Sequence, residues 1–358
     1  MTGPEDIKFM RRCLELASKA EGLTYPNPMV GSVIVNEGRI IGEGFHIKSG
    51  EPHAEVNAVN SVIDKNLLRK STLYVNLEPC SHFGRTPPCA DFIVANKIPR
   101  IVVGTIDTHA KVSGQGISVL KKAGCEVTTG ILEDECRWLN RRFFTIHEKK
   151  RPYIILKWAQ TADGFLDIMR SGDHSIRPTW ITGQTEKVLV HKWRASEQSI
   201  LVGAGTIRCD NPMLNVREWN GINPLRLILS SSGVLNDELA INDPHGKVVI
   251  FTHNEEVVYK SAQKVKFESD KTSAEQICKY LFRSGLQSLF IEGGAMVLNH
   301  FISAGLWDEA RIFTGRQHFR NGIKAPRIHG TVLTHSVFSH SLLDVFVNPE
   351  SQIYKPCE

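Results

Sequence analysis

Apolar positions open the chain at helical spacing. Ile7, Met10, Cys13, Leu14 and Ala17 recur with lysines and arginines between them, which predicts a helix over 5–21, ended by the turn Tyr25-Pro26-Asn27-Pro28. The period then falls to that of strands. Val30–Val35 and Arg39–Phe45 flank Asn36-Glu37-Gly38 and predict a hairpin. Pro52 opens the next helix, because proline is tolerated in a first turn, and places His53, Ala54 and Glu55 in that turn. Leu73–Leu77 reads as a strand leading to Cys80. Pro87-Pro88 starts a helix with Cys89 at its N-terminus, and Ile101–Thr105 is another apolar strand. Residues 116–123 and 133–143 are helical in pattern. A hairpin followed by strand–helix alternation predicts a layered α/β domain.

The basic run His147-Glu148-Lys149-Lys150-Arg151-Pro152 predicts a junction, with one domain over 1–147 and a second over 151–358. Tyr153–Trp158 is a strand, and Glu186–Ser196 is a helix with Val188, Leu189 and Trp193 on one side. Ser199–Val202, Leu225–Leu229 and Val248–Thr252 are short β-branched runs of the kind buried on both faces. Ser273–Phe282 is helical. Leu289–Ile291 is a strand that passes through Glu292-Gly293-Gly294 into a helix over Ala295–Ser303, and Arg311–Thr314 is a late strand. The second half therefore predicts a mostly parallel sheet flanked by helices.

Composition narrows the class. At 358 residues the chain exceeds one ordinary core and suits two. The formal charge of +5 is spread without any basic run long enough to serve as a nucleic-acid arm, so no nucleic-acid partner is expected. No stretch of 18 apolar residues exists and the first residues lack an apolar signal core, so no membrane is expected and the cytoplasm is. Eight cysteines in a chain of this length agree with a reducing compartment.

The chemistry begins at His53-Ala54-Glu55 and Pro79-Cys80, with Cys89 beyond. These supply one imidazole, two thiols and one carboxylate in the H-x-E…P-C…C order of zinc-dependent deaminases. Zinc suits imidazole and thiolate, and three protein ligands leave the fourth tetrahedral position for a water, as catalytic sites do. A helix N-terminus favours the thiolate of Cys89. Glu55 stays near the metal without sharing the histidine's helix face, so it can take a proton from that water and pass it to a leaving amine. Two cysteines and a histidine also build closed structural knuckles, for instance with His82 as fourth ligand, but a knuckle has no need of Glu55.

Eight residues, Ser81 to Pro88, separate the cysteines, where common nucleobase deaminases place two. This loop, together with Pro26-Asn27-Pro28, Gly42-Glu43-Gly44, Gly50-Glu51-Pro52-His53-Ala54-Glu55 and Leu77-Glu78-Pro79-Cys80, resembles the bifunctional deaminase/reductase of bacterial riboflavin biosynthesis. The likeness continues through Lys157, Asp163-Gly164, Trp180-Ile181-Thr182, Arg194-Ala195, Thr206, Asp210–Leu214, Arg217 and Glu292-Gly293-Gly294. It implies a cytidine-deaminase-like layered domain followed by a dihydrofolate-reductase-like domain. It implies one zinc per chain on His53, Cys80 and Cys89 with Glu55 catalytic, and NADPH as second cofactor. NADPH contacts would fall at Ala159, Trp180, Thr206, Asp210, Ser231 and the run Gly294, Ala295, Met296, Val297 and Leu298. Substrate contacts would fall at Arg194, Leu214, Arg217 and Glu292. The implied substrate is a phosphorylated pyrimidine ribosylamine, and a homo-oligomer is expected.

Elementary chemistry supports parts of this second site. Arg194 and Arg217 have the planar fork that grips a sugar phosphate. Gly293-Gly294 opens a helix whose free N–H groups suit a cofactor phosphate. Some positions depart from the family. Residues 165–179 are longer than usual, Pro178 stands where a serine is frequent, Asp107-Thr108-His109-Ala110 replaces Asp-Pro-Asn-Pro, and Gly315–Phe319 is atypical. Two rival readings remain at this stage. A transfer-RNA base deaminase with a fused binding domain predicts the short cysteine spacing and a concentrated basic face. A zinc-stabilised binding protein requires neither Glu55 nor the second-half set.

Overall fold

The computed structural model describes residues 3–81, 87–108, 113–169, 179–233, 246–254, 262–268 and 271–351. The chain divides into two compact units, one running to Lys150 and one starting at Arg151.

The first unit contains α1 (Pro4–Ser18), β1 (Gly31–Asn36), β2 (Arg39–Phe45), α2 (Ala54–Ser61), β3 (Thr72–Leu77), α3 (Cys89–Ala95) and β4 (Arg100–Thr105). It continues with α4 (Gln115–Lys122), β5 (Glu126–Thr129), α5 (Glu133–Leu139) and α6 (Arg141–Lys149). The sheet order is β2-β1-β3-β4-β5. The hairpin and the β1–β3 pair are antiparallel, while β3, β4 and β5 run parallel. Strand alternation sorts the core into two layers. Ile34, Leu73, Val75, Ile101 and Val103 face Ala58 and Val59 of α2, Ala90 and Ile93 of α3 and Leu120 of α4. Val33, Val35, Tyr74 and Val102 face Phe9, Met10, Cys13 and Leu16 of α1. The glycines of β2 have a packing cause: a Cβ on Gly44 would lie 2.4 Å from the Ala58 nitrogen and one on Gly42 2.5 Å from the Ala58 carbonyl oxygen. Only a bare backbone lets α2 sit directly on the sheet.

Several boundaries differ from the pattern. The first helix ends at Ser18, short of the Tyr25–Pro28 turn. The segment read as one helix over 133–143 breaks at Asn140, whose buried side-chain amide accepts from Met29 N–H at 2.8 Å and donates to Met29 C=O at 2.9 Å. His147–Lys149 belong to α6, so the polar run is partly helix. The short strand β5 carries half-buried and exposed side chains and gave no apolar signal.

The second unit contains β6 (Tyr153–Gln160), β7 (Phe165–Asp167), α7 (Gln184–Ser196), β8 (Ser199–Gly203), α8 (Ala204–Asp210), β9 (Leu225–Leu229), β10 (Val248–Thr252) and β11 (Ala262–Lys266). It continues with α9 (Ser273–Arg283), β12 (Ser288–Ile291), α10 (Ala295–Ser303), β13 (Glu309–Gly315), β14 (Ile323–Lys324), β15 (Thr331–Val337) and β16 (Ser341–Val347). Nine strands form one sheet in the order β11-β10-β9-β8-β12-β6-β13-β16-β15. It is parallel from β11 to β13 and antiparallel at β16 and β15. Val297, Leu298 and Phe301 of α10 with Ile277 and Leu281 of α9 cover one face. Val190 of α7 and Ile207 of α8 cover the other, with Leu189 and Trp193 packed against them. The closing hairpin β15–β16 and the edge strand β11 were not legible, because β15 is mostly exposed and β11 has lysines outward. Among the described residues no helix is long and apolar enough to cross a membrane.

Candidate active site

Three ligand-type side chains meet at one end of the first sheet. His53 is the N-cap of α2, not a first-turn residue as the proline suggested, and Pro52 lies before the helix. Cys80 follows β3, and Cys89 is the first residue of α3 behind Pro88. His53 Nδ1 lies 3.6 Å from Cys80 Sγ and 3.3 Å from Cys89 Sγ. All three ligand atoms fall within 4.8 Å of one another. Zinc–sulfur and zinc–nitrogen bonds of ~2.3 and ~2.0 Å set tetrahedral edges of roughly 3.5 Å, so the donor set fits that ion. His82, the alternative fourth ligand, lies outside the described residues.

Cys80 is held well below the usual thiol range by hydrogen bonding from the Cys89 thiol, with His53 and the Cys89 N–H adding to it. Cys89, the donor of that pair and itself buried, is pushed up. Glu55 sits in the first turn of α2, 3% exposed. Burial, and then the charge of Cys80, push its carboxyl up to about 7. Such a carboxyl exchanges a proton near neutrality, which is what a proton shuttle requires.

His46 was missed by the sequence reading. Its ring stands edge-on to His53 at 5.3 Å between centroids. Burial lowers its pKa, so it is neutral: Nδ1–H donates to Pro52 C=O at 3.2 Å, and Nε2 accepts from Asn27 Nδ2 at 3.1 Å. That bond fixes the carbonyl next to the His53 ligand. No periodicity marks such a residue, since its role depends on a hydrogen bond between elements.

The second unit gathers a different set. Arg194 of α7 and Glu292, just past β12, form a two-point ion pair with bonds of 2.5 and 2.8 Å. Arg194 also donates to Asn215 C=O at 3.1 Å. The Arg194 fork therefore meets Glu292, which brings two of the expected substrate-contact residues together. Arg217 keeps an exposed guanidinium, with one bond to Asn215 Oδ1 at 3.1 Å, and its backbone N–H donates to His191 Nδ1 at 3.2 Å. His191, another residue the sequence did not single out, is pushed down to about 4 by burial and by the neighbouring arginines. Lys157 is shifted down by burial, partly countered by Glu292. Leu214 adopts a left-handed backbone (φ 54°) and buries its side chain in the core.

Beside this set lies a cradle. β8 and β12 are parallel neighbours, and their C-terminal ends bring Gly203, Thr206 and Gly294 together. A Cβ on Gly294 would stand 3.3 Å from Thr206 Oγ1 and 3.9 Å from the Gly203 nitrogen. Gly293 and Gly294 have φ of 129° and 78°, which favour glycine. This bare, N–H-rich crevice at the C-terminal ends of parallel strands fits a dinucleotide phosphate. Of the run expected to follow, Ala295 and Met296 begin α10, whereas Val297 and Leu298 turn their side chains into the core. The Leu298 N–H is committed to Gly294 C=O at 3.1 Å. Ala159 is half-buried on β6, Asp210 half-buried at the end of α8, and Ser231 exposed past β9. Trp180 is 57% exposed, with Lys187 Nζ 5.7 Å from its ring. Pro178 and His109 lie outside the described residues.

Comparison with known proteins follows the same division. The family described as cytidine and deoxycytidylate deaminase zinc-binding region matches residues 4–105, and the RibD C-terminal domain matches 152–315. Riboflavin biosynthesis protein RibD of Aquifex aeolicus is 38% identical over 332 residues, 89% of this chain and 89% of its own. The chain belongs to the RibD family. RibD of Bacillus amyloliquefaciens is 37% identical over 85% of this chain and 83% of its own. A crystal structure of a diaminohydroxyphosphoribosylaminopyrimidine deaminase/5-amino-6-(5-phosphoribosylamino)uracil reductase from Thermotoga maritima superposes with a TM-score of 0.87 at 36% identity, covering 96% of this chain and 99% of that one. As a RibD-type enzyme, the chain pairs a zinc deaminase half with a dihydrofolate-reductase-like half that uses NADPH.

Proposed function

We propose that the chain carries out two successive steps on one phosphorylated pyrimidine ribosylamine, in domains spanning 1–147 and 151–358. The substrate is 2,5-diamino-6-ribosylamino-4(3H)-pyrimidinone 5′-phosphate. The first step replaces the exocyclic amine by oxygen with release of ammonia, and the second reduces the ribosyl group to a ribityl chain. The observation that carries this reading is the meeting of His53, Cys80 and Cys89 with Glu55 beside them.

His53, Cys80 and Cys89 would hold the zinc. Bound there, it supplies Lewis-acid polarisation and lowers the pKa of a water toward ~7. Glu55 takes the proton on a carboxylate oxygen and returns it to the departing amine. His46 keeps the carbonyl before His53 in place. NADPH bound in the second domain would supply the reducing equivalent for C1′ of the sugar. Gly294, Ala295, Met296 and Val297 offer backbone to its phosphates, with Thr206 across the cradle, and Ala159, Trp180, Asp210, Ser231 and Leu298 complete the assigned contact set. Arg217 takes the substrate phosphate, since its guanidinium is exposed and its one side-chain bond is to Asn215. Leu214 holds that segment in the core. The Arg194–Glu292 pair and Lys157 form the polar wall. The chain works in the cytoplasm as a homo-oligomer: β15 is an edge strand with Val332 and Val337 52% and 70% exposed.

Incubating the purified protein with this substrate, while following ammonia release and NADPH oxidation, tests the reading. Ammonia should appear without NADPH, and the ribityl product only with it. Absence of ammonia from a zinc-loaded sample refutes the first step, and a monomer mass by light scattering refutes the oligomer.

A further inference from the structure

Glu78 stands between β3 and the Pro79-Cys80 strap, and its side chain is 4% exposed. Four backbone N–H groups donate to its carboxylate. Those of Asp107 and Gly114 reach Oε2 at 3.2 and 3.0 Å, and those of Gly116 and Ile117 reach Oε1 at 2.9 and 3.3 Å. Its own N–H donates to Thr105 C=O at 3.0 Å, at the end of β4. A buried carboxylate is costly unless its lone pairs are satisfied, and here backbone donors just past β4 and at the start of α4 do so.

The bonds join three segments that the sequence keeps apart. β3 and β4 are parallel, so Cys80 and Asp107 emerge at the same sheet edge, the edge at which such sheets bind ligands. The first turn of α4 lies against the strap itself, because a Cβ on Gly116 would stand 1.9 Å from the Pro79 carbonyl oxygen. Backbone touches backbone there, one residue before the metal ligand. Glutamine in place of Glu78 would keep one acceptor oxygen and turn an NH2 group against two N–H donors.

We propose that Glu78 is a positioning residue of the deaminase site. Its carboxyl oxygens, through four backbone N–H donors, bolt Asp107 and the start of α4 to the strap that carries Cys80, so that ligand and neighbouring wall hold one geometry. The proposal rests on the zinc-deaminase reading above. It adds a role for a residue outside the proposed zinc-ligand set.

The test uses the full chain loaded with zinc or cobalt. Glu78→Gln should keep one metal per chain and NADPH-dependent reduction of pre-deaminated substrate. It should lose roughly 10–100-fold in deaminase kcat/KM, the usual effect of removing an outer-shell support. The visible absorption of its cobalt form, which reports thiolate geometry, should shift, and Glu78→Asp should recover part of both. A Glu78→Gln protein that melts at lower temperature but has wild-type cobalt bands and deaminase kinetics makes Glu78 purely structural and overturns the proposal. If Glu78→Gln does not fold, Gly116→Ala pushes α4 off the same strap and must give the same shift; wild-type bands and kinetics there overturn the proposal equally. A wild-type chain that binds cobalt yet releases no ammonia refutes the deaminase reading instead, and the cobalt bands still decide on Glu78.

Discussion

Arg194 and Glu292 are 98 residues apart and nearly sealed from water, with side chains 10% and 6% exposed. Arg194→Met deletes the cation and leaves a buried carboxylate without its two-point partner, which costs about 3–5 kcal/mol. Lys157 and Arg217 remain as cations near Glu292 and offset part of this, so the lower end is expected. For a unit of this size each kcal/mol moves the midpoint by about 2–4 °C, giving a fall of roughly 6–12 °C for 3 kcal/mol. Calorimetry of the full chain measures it, and the transition that NADPH raises identifies the reductase unit. The pH dependence has a definite sign. Burial pushes the Glu292 carboxyl up, but Arg194 overrides it and the net shift is down. In the wild type this stabilisation is present above the ordinary glutamate range and fades as pH falls through the lowered value. In Arg194→Met burial dominates and the carboxyl rises, so the mutant loses stability as pH climbs past ~4.3. The gap between the two proteins is therefore widest at neutral pH and closes in acid. Arg194→Met/Glu292→Leu, with both charges gone, should be more stable than the single mutant. A loss under about 1 kcal/mol in the single mutant, or a double mutant no better than the single, would falsify the claim that this pair is sealed.

Four further outcomes follow from the sites. Glu55→Gln should keep zinc and reductase activity while deamination falls ~10²–10⁴-fold; a near-wild-type rate would place the proton transfer on another group. Cys89→Ser should lose zinc on metal analysis, and stoichiometric zinc in a mutant of all three ligands would sink the assignment. Arg217→Lys should raise the KM for substrate roughly ten- to a hundredfold, as loss of a charge-assisted bond implies, and leave that for NADPH unchanged. Gly294→Val should do the reverse, because its added carbon meets Thr206 at a strained φ, and unaltered kinetics in both would move the second site elsewhere.

Much of the architecture was legible because helix and strand periods are local. The strands carrying Ile34, Val75 and Val103, or Ile200 and Ile250, announced themselves by their own residues. The metal set was legible for a related reason: His53 and Glu55 lie within one turn of chain, and each cysteine stands at a recognisable element start or end. The polar edge strands β5, β11 and β15 were not, since an exposed strand carries no apolar alternation.

The chain order alone determined which residue types lie at the ends of which elements, and so the zinc donor set, the glycine turn before α10 and the two-unit plan. Tertiary structure decided the partners. It joined the Arg194 fork to Glu292, tied the Arg217 backbone to His191, bent the helix at Asn140 to pair with Met29 across 111 residues, and set His46 behind His53. Each of these is a hydrogen bond between elements whose proximity depends on strand order and register, and a local pattern holds no record of which strand will lie beside which.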